Sequence, residues 1–213
     1  MSSVQLAGLT RYSFGNRWQF GIECEVQDRE LDPWGSREPF GSFWFWIAGR
    51  VIGNTDAEEQ LALAFLPLAH RLNRPRPDAR FGGMSNIDKL NLVIWVRFGE
   101  DEEFKGEQWG VSDRDQLRRE DFTQYEVVPR GDSPWCDGWE AILVEDNASD
   151  TLIWRRWQSD AAEVQEVTLP HGAFSEVATL ACRWFEKLRT ERLGPELLQK
   201  EIRLAQRNTS EQS

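Results

Sequence analysis

Histidine is scarce in this sequence, with His70 and His171 the only two in 213 residues. Neither stands in an HExxH pattern or close to a cysteine, so the usual spacings for a transition metal are missing and no metal is expected. His70 reads as a surface residue near the end of a helix, and His171, after Pro170, as a turn residue ahead of another. Cysteine is scarce as well: Cys24, Cys136 and Cys182 are odd in number and far apart, which argues against a disulfide framework and a zinc ribbon. All three are expected to be small buried residues in a reducing compartment, and a Cys182 and His171 pair would need a geometry that spacing alone does not supply.

Other signatures are missing too. There is no GxGxxG and no GxxxxGK[ST], and the nearest glycine cluster, Phe81 to Ser85, lacks the lysine that phosphate cradling requires. No GxSxG nucleophile motif occurs. Long apolar runs are absent: the stretches 61–69 and 90–96 fall short of the roughly 20 residues of a membrane-spanning helix. The opening MSSVQLAGLTRYSFG has no basic region followed by an apolar block, so the chain is expected in the cytoplasm, with no membrane partner. Basic residues are outnumbered, 25 against 36 acidic ones, and the formal charge of -11 repels phosphate backbones. Nucleic acid is therefore not an expected partner.

What the sequence has in abundance is large rings, 11 Trp and 12 Phe, in a chain long enough to bury a sizeable core. WQFGIECEVQ, from Trp18 to Gln27, alternates, with Trp18, Phe20, Ile22, Cys24 and Val26 on one face and Gln19, Gly21, Glu23, Glu25 and Gln27 on the other. After the turn-rich DRELDPWGSREP comes a second strand, FGSFWFWIAG, which carries rings on both faces: Phe43, Phe45 and Ile47 on one, Trp44, Trp46 and Ala48 on the other. A sheet with one face in water needs rings on one side only. Trp44 and Trp46 therefore read either as core of a sheet covered on both sides or as a partly exposed aromatic platform.

Arg50 to Ile52 reads as a short return strand, and Thr55 to Glu58 as a capping box opening a helix through Leu72, with Leu61, Phe65, Leu68 and Leu72 on its buried side and Pro67 expected to kink or shorten it. KLNLVIWVRF, Lys89 to Phe98, reads as an interior strand, and a short helix is expected over Asp113 to Glu120. TQYEVVP, GWEAILVED, DTLIWRRWQ and AEVQEVTLP then form an antiparallel meander. A long amphipathic helix follows from Ala173, with Phe174, Val177, Ala181, Trp184 and Leu188 on one stripe, until Gly194 and Pro195 stop it and start another through Gln206, ahead of a disordered RNTSEQS.

The fold class is thus α+β, mainly antiparallel sheet with helices packed on one side. Residues 1–193 are expected to form one domain, with 194–213 a C-terminal helix and tail. Similar element orders in 14–72 and 123–193 suggest a loose ββ(β)α duplication.

Two readings of function follow. Acidic groups at Asp28 to Asp32, Glu100 to Glu103 and Asp113 to Asp121 are either solvated loops or an electronegative surface for a basic protein partner, the pattern of an inhibitor of a cationic toxin. Alternatively, Glu23 and Glu25, two residues apart on one strand face among tryptophans, are the ingredients of a carbohydrate-binding module or glycoside hydrolase.

The order FGNRWQFGIECEV, GSFWFWIAGRVIGN, then DGWEAILVED, TLIWRR and VQEVTLPHGAF resembles the Imm42 group of bacterial immunity proteins. The likeness reaches to about Leu188 and is carried by Phe20, Gly21, Glu23, Phe43, Trp46, Gly49, Gly53, Gly138 and Trp139, none of them catalytic in type. It implies a protein that protects its cell by binding a cognate toxin; joined to the acidic balance and the missing catalytic constellation, it leads to the expectation of a non-enzymatic protein, without cofactor, that neutralises a basic toxin by occlusion. For such an interface the candidates are Trp34, Trp44, Trp46, Glu100, Asp101, Glu102 and Glu103, rings for a dry centre and acids for its rim.

Overall fold

The computed structural model describes residues 1–6, 8–73, 81–99, 105–111, 117, 122–128, 136, 138–156 and 164–210. The expected helix over Asp113 to Glu120 falls almost wholly outside them. The described residues form two antiparallel sheets and three principal helices.

The first sheet runs β1 (Ser2–Leu6), β2 (Leu9–Gly15), β3 (Phe20–Gln27), β4 (Phe40–Ile47) and β5 (Arg50–Ile52) in spatial order, with β6 (Glu59–Gln60) also pairing with β4. Helix α1 (Ala62–Leu72) follows, then α2 (Asn86–Phe98) and a 3-10 turn at Gly106–Trp109. The second sheet orders β10 (Gln165–Pro170), β9 (Ser149–Arg156), β8 (Trp139–Glu145) and β7 (Glu126–Val128). Helix α3 spans Ala173–Ser210 and is broken at Gly194, whose φ of 74° and ψ of 160° are not helical. Among the described residues no helix is long and apolar enough to cross a membrane.

Strand alternation assigns the faces. Phe20, Ile22, Cys24 and Val26 of β3 join Phe14, Phe43, Phe45, Ile47 and Ile52 in the main core. Phe65 and Leu68 of α1, Phe174, Ala178, Ala181 and Phe185 of α3, and Ala141, Leu143, Leu152 and Trp154 of the second sheet complete it. Ile142 and Ile153, on the second sheet's other face, meet Leu90, Val93, Ile94 and Phe122 in a smaller core. The middles of its central strands, Ala141 to Leu143 of β8 and Leu152 to Trp154 of β9, are thus buried on both faces, hence their unbroken apolar runs, whereas the edge strand β10 alternates with exposed residues.

Three local expectations are corrected. Lys89 to Phe98 is helix α2, not a strand. Ser85 caps it by accepting from the Asp88 backbone N–H at 3.3 Å, and Gly99 closes it in the left-handed conformation at φ 72°. Leu90, Leu92, Val93, Ile94 and Val96 are all buried, so the helix is apolar around most of its circumference and shows no clear stripe. Thr55 to Glu58 do not open α1: Glu59 and Gln60 first pair with Gly41 and Phe40, and the helix begins at Ala62 and continues through Pro67. Trp18 precedes β3, in the turn from β2, and is 80% exposed rather than part of the buried face. Strands β1 and β2 had no counterpart in the sequence reading.

Candidate functional site

The face of the first sheet opposite the core is built in cross-strand rows. Gly15, Gly21 and Trp46 stand side by side, then Ser13, Glu23 and Trp44, then Arg11, Glu25 and Ser42. Ser2 of β1 pairs with Ser13 and extends the middle row. Strand geometry places these residues together, because positions two apart share a face.

Charges on this face are paired. Arg17 Nε donates to Glu23 Oε1 at 2.6 Å, and the Ser13 hydroxyl lies 3.1 Å from the same oxygen. Arg11 bonds Glu25 through Nε at 2.8 Å and through Nη2. Each guanidinium also covers an indole: Arg17 lies 4.8 Å from the Trp46 ring centroid and Arg11 5.5 Å from that of Trp44. Trp44 is only 3% exposed under this cover and Trp46 is half-buried. The rings on both faces of β4 thus have separate roles: Phe43, Phe45 and Ile47 fill the core, while Trp44 and Trp46 sit under arginines on the outer face.

Beside Trp46, where its row neighbours are glycines, the face opens into a cleft of about 470 Å³ lined by Arg11, Ser13, Arg17, Glu23 and Trp46, with Ser2 at its edge. Glu23 and Glu25 are both engaged by guanidinium groups, and Trp44 is too buried to serve as a sugar platform. The carbohydrate reading loses its working groups.

Two exposed tryptophans flank the sheet at opposite ends. Trp18, in the β2–β3 turn, has its backbone N–H bonded to Asn16 Oδ1 at 2.9 Å. Its ring lies against Gly49, where a Cβ would come within 2.8 Å of two ring carbons. Trp34, 70% exposed, belongs to the β3–β4 loop and meets Phe40 edge-on at 5.6 Å. Asp32 organises that loop: Oδ1 accepts from the Trp34 and Ser36 N–H groups at 2.9 and 2.7 Å, and Oδ2 from Gln60 at 2.7 Å. Desolvation pushes the Asp32 carboxyl upward, but the bonds from Gln60, Ser36 and Trp34, with Arg29 nearby, outweigh it and hold the group below its usual range. A fork from Arg189 to both oxygens of Glu38, at 2.6 to 3.0 Å, ties the loop to α3.

Of the residues expected at an interface, Trp44 and Trp46 stand together on the outer face. Trp34 lies by the start of β4, about 20 Å from Trp46 at strand rise. Glu100, Asp101, Glu102 and Glu103 lie outside the described residues. Sequence reasoning missed Arg11, Arg17 and Trp18. The signal for the first was the alternation in LTRYSFG, which makes β2 a partner for β3 and sets Arg11 and Ser13 opposite Glu25 and Glu23.

Neither Cys24 nor Cys182 is placed to act as a nucleophile. Burial pushes Cys24 well up, with Glu23 and Glu25 adding to it, and lifts Cys182 to about 12, assisted by Glu186. His171 turns to Asp150, with Nδ1 at 3.4 Å from its Oδ1.

No curated protein matches this chain. Among solved structures it is similar to the crystal structure of CdiI from Burkholderia dolosa, at 19% sequence identity and a TM-score of 0.55, over 80% of this chain and 97% of that one. That likeness concerns the fold. The sequence pattern of Immunity protein 42 (Imm42) matches residues 12–184, from the second strand of the ringed sheet to the helix that backs it, and the chain belongs to that immunity protein family.

Proposed function

We propose that this protein binds a cognate protein toxin in the cytoplasm and neutralises it by covering its working surface, without turnover and without a cofactor. The exposed ring of Trp34 on a loop fixed by Asp32 carries this reading. An indole held rigid in solvent loses little conformational entropy when a partner closes over it, which is how a few aromatic side chains come to dominate an interface. Trp18, fastened to Gly49, offers a second anchor of the same kind.

The formal charge of -11 favours a basic toxin, and Glu100 to Glu103 supply the strongest local run of negative charge for steering it. Trp44 and Trp46 contribute from beneath their arginines. In the test, the chain is expressed with the toxin domain encoded beside it, the mixture is analysed by size-exclusion chromatography, and survival of toxin-expressing cells is scored. A stable equimolar complex together with survival is expected; separate elution and cell death would overturn the reading.

A further inference from the structure

The edges of the two sheets are not alike. A free edge invites a further strand, and proteins blunt it with short strands, charges, prolines or bulges. Strands β5 and β6, which share one edge, have three and two residues. Strand β7 also has three, with a register shift between Glu126 and Val128. Strand β10 carries Glu166, engaged by Asn86, and ends on Pro170. Strand β1, SSVQL, has five residues with no charge and no proline, and among the described residues it pairs with β2 alone.

The ladder shows which backbone groups of β1 are open. In an antiparallel sheet, successive residues of a strand bond alternately to one neighbour and to the other. Gly8 O accepts from the Asp28 N–H at 3.1 Å and the Asn16 N–H donates to Phe20 O at 2.9 Å, so the even-numbered residues of β2, Thr10, Tyr12 and Phe14, bond β3. Leu9, Arg11 and Ser13 are left to bond Leu6, Val4 and Ser2. Ser3 and Gln5 therefore turn N–H and C=O away from β2, four groups with no partner among the described residues.

We propose that this edge receives an extended segment of the toxin, which adds to the first sheet as a further strand and bonds the backbone of Ser3 and Gln5. The inference rests on the toxin-binding reading above and adds how the contact is made. Charge selects the occupant: a second copy would bring the same -11 to the edge, whereas a basic protein is attracted to it. Position agrees with the anchor already assigned to the interface. Ser2 and Arg17 line one cleft, so the start of β1 lies beside the turn that carries the exposed Trp18, and a strand laid along β1 brings its protein to that ring.

Amide hydrogen exchange of the unaltered chain, free and bound to the cognate toxin domain, tests the edge directly. The Ser3 and Gln5 amides are expected to exchange freely in the chain alone and at least about tenfold more slowly in the complex, with Val4 and Leu6, bonded to β2 in both states, as the reference. Proline substitution tests it by affinity. Ser3→Pro removes an N–H that β2 does not use, and is expected to weaken binding about tenfold; Ser3→Pro with Gln5→Pro is expected to weaken it about a hundredfold.

If the unaltered chain forms no complex, the proposed function falls and this contact with it. If the complex forms and the Ser3 and Gln5 amides exchange as fast as in the free chain, or the double proline variant binds as the unaltered chain does, the edge assignment alone is overturned. Protection of both amides in the chain alone that disappears on dilution would give the edge to a second copy, and would overturn it as well.

Discussion

The guanidinium of Arg71, in α1, donates to the carboxylate of Glu145, in β8, at 3.2 Å, with the two side chains 3% and 5% exposed. The pair joins the helix that follows the first sheet to the centre of the second, 74 residues later. Taking two charges out of water is costly, and removing one partner takes from the other the opposite charge that offsets its burial, although Ser175 still lies 3.4 Å from Glu145 Oε1. Arg71→Met is therefore expected to cost about 3–5 kcal/mol in urea denaturation. Adding Glu145→Gln should recover a good part of it, and a double variant as unstable as the single one would refute the pairing argument.

Gly41 marks another long-range constraint. It stands opposite Val26, and a Cβ there would lie 1.7 Å from the Glu25 carbonyl oxygen and 2.8 Å from its carbon. Backbone cannot swing aside as a side chain end does, so Gly41→Ala has to part β3 from β4 at the middle of the sheet. A loss of about 3 kcal/mol or more is expected, at or above the upper end of ordinary overpacking. Thermal melting measures it, and an unchanged midpoint would mean that the two strands pair differently.

The sequence made some of this legible and hid the rest for identifiable reasons. The period of two in β3 was plain because polar and apolar residues alternate, and the stripe of α1 through Leu61, Phe65 and Leu68 was plain because its outer side is wet. Helix α2 was hidden because burial on most sides erased its stripe, leaving a β-branched, apolar run that looks like an interior strand. On the outer face, β4 announced its rings but not their cover. That cover comes from Arg11 and Arg17, which reach Trp44 and Trp46 only through strand register. Glu23 passed for a solvated strand residue for the same reason.

The β4–β5 turn carries local strain. Ala48 and Gly49 link Ile47 to its partner Arg50 with φ of 50° and 80°, both positive, as a two-residue hairpin turn of the mirror type demands. Alanine in that conformation costs about 1 kcal/mol. Ala48 is exposed, so Ala48→Asn removes the strain without disturbing the core. It should raise the melting temperature by about 2–4 °C in a chain of this size. Gly49→Ala should do the reverse and dislodge the Trp18 ring, which would appear as a shift in its indole resonance.

Association kinetics should report the acidic run. Replacing Glu100, Asp101, Glu102 and Glu103 with Ser removes four negative charges from the strongest local cluster in the sequence. Rim charges act mainly on encounter, so the association rate with a basic toxin should fall while dissociation changes little, and the dependence on salt should flatten. Stopped-flow mixing at two ionic strengths measures both, and unaltered association would remove this segment from the interface.

Acid should loosen the Trp34 loop before it unfolds the sheet. The Asp32 carboxyl is held below its usual range in the folded chain, so its contribution to stability is present above about pH 4, the ordinary value for the unfolded group, and is lost as pH falls through the lower folded value. Once protonated, Asp32 accepts more weakly from Trp34, Ser36 and Gln60, and the loop loses what orders its exposed ring. Amide exchange at Trp34 and Ser36 should therefore accelerate below about pH 4, relative to amides in β3, and Asp32→Asn should show the faster exchange already at neutral pH. If Trp34 is an anchor, Trp34→Ala should weaken toxin binding by about thirtyfold or more, whereas Asp32→Asn should weaken it less, by the cost of reordering the loop on binding. Asp32→Asn binding as tightly as the unaltered chain would separate the order of the loop from its role, and Trp34 would then have to act through contact area alone.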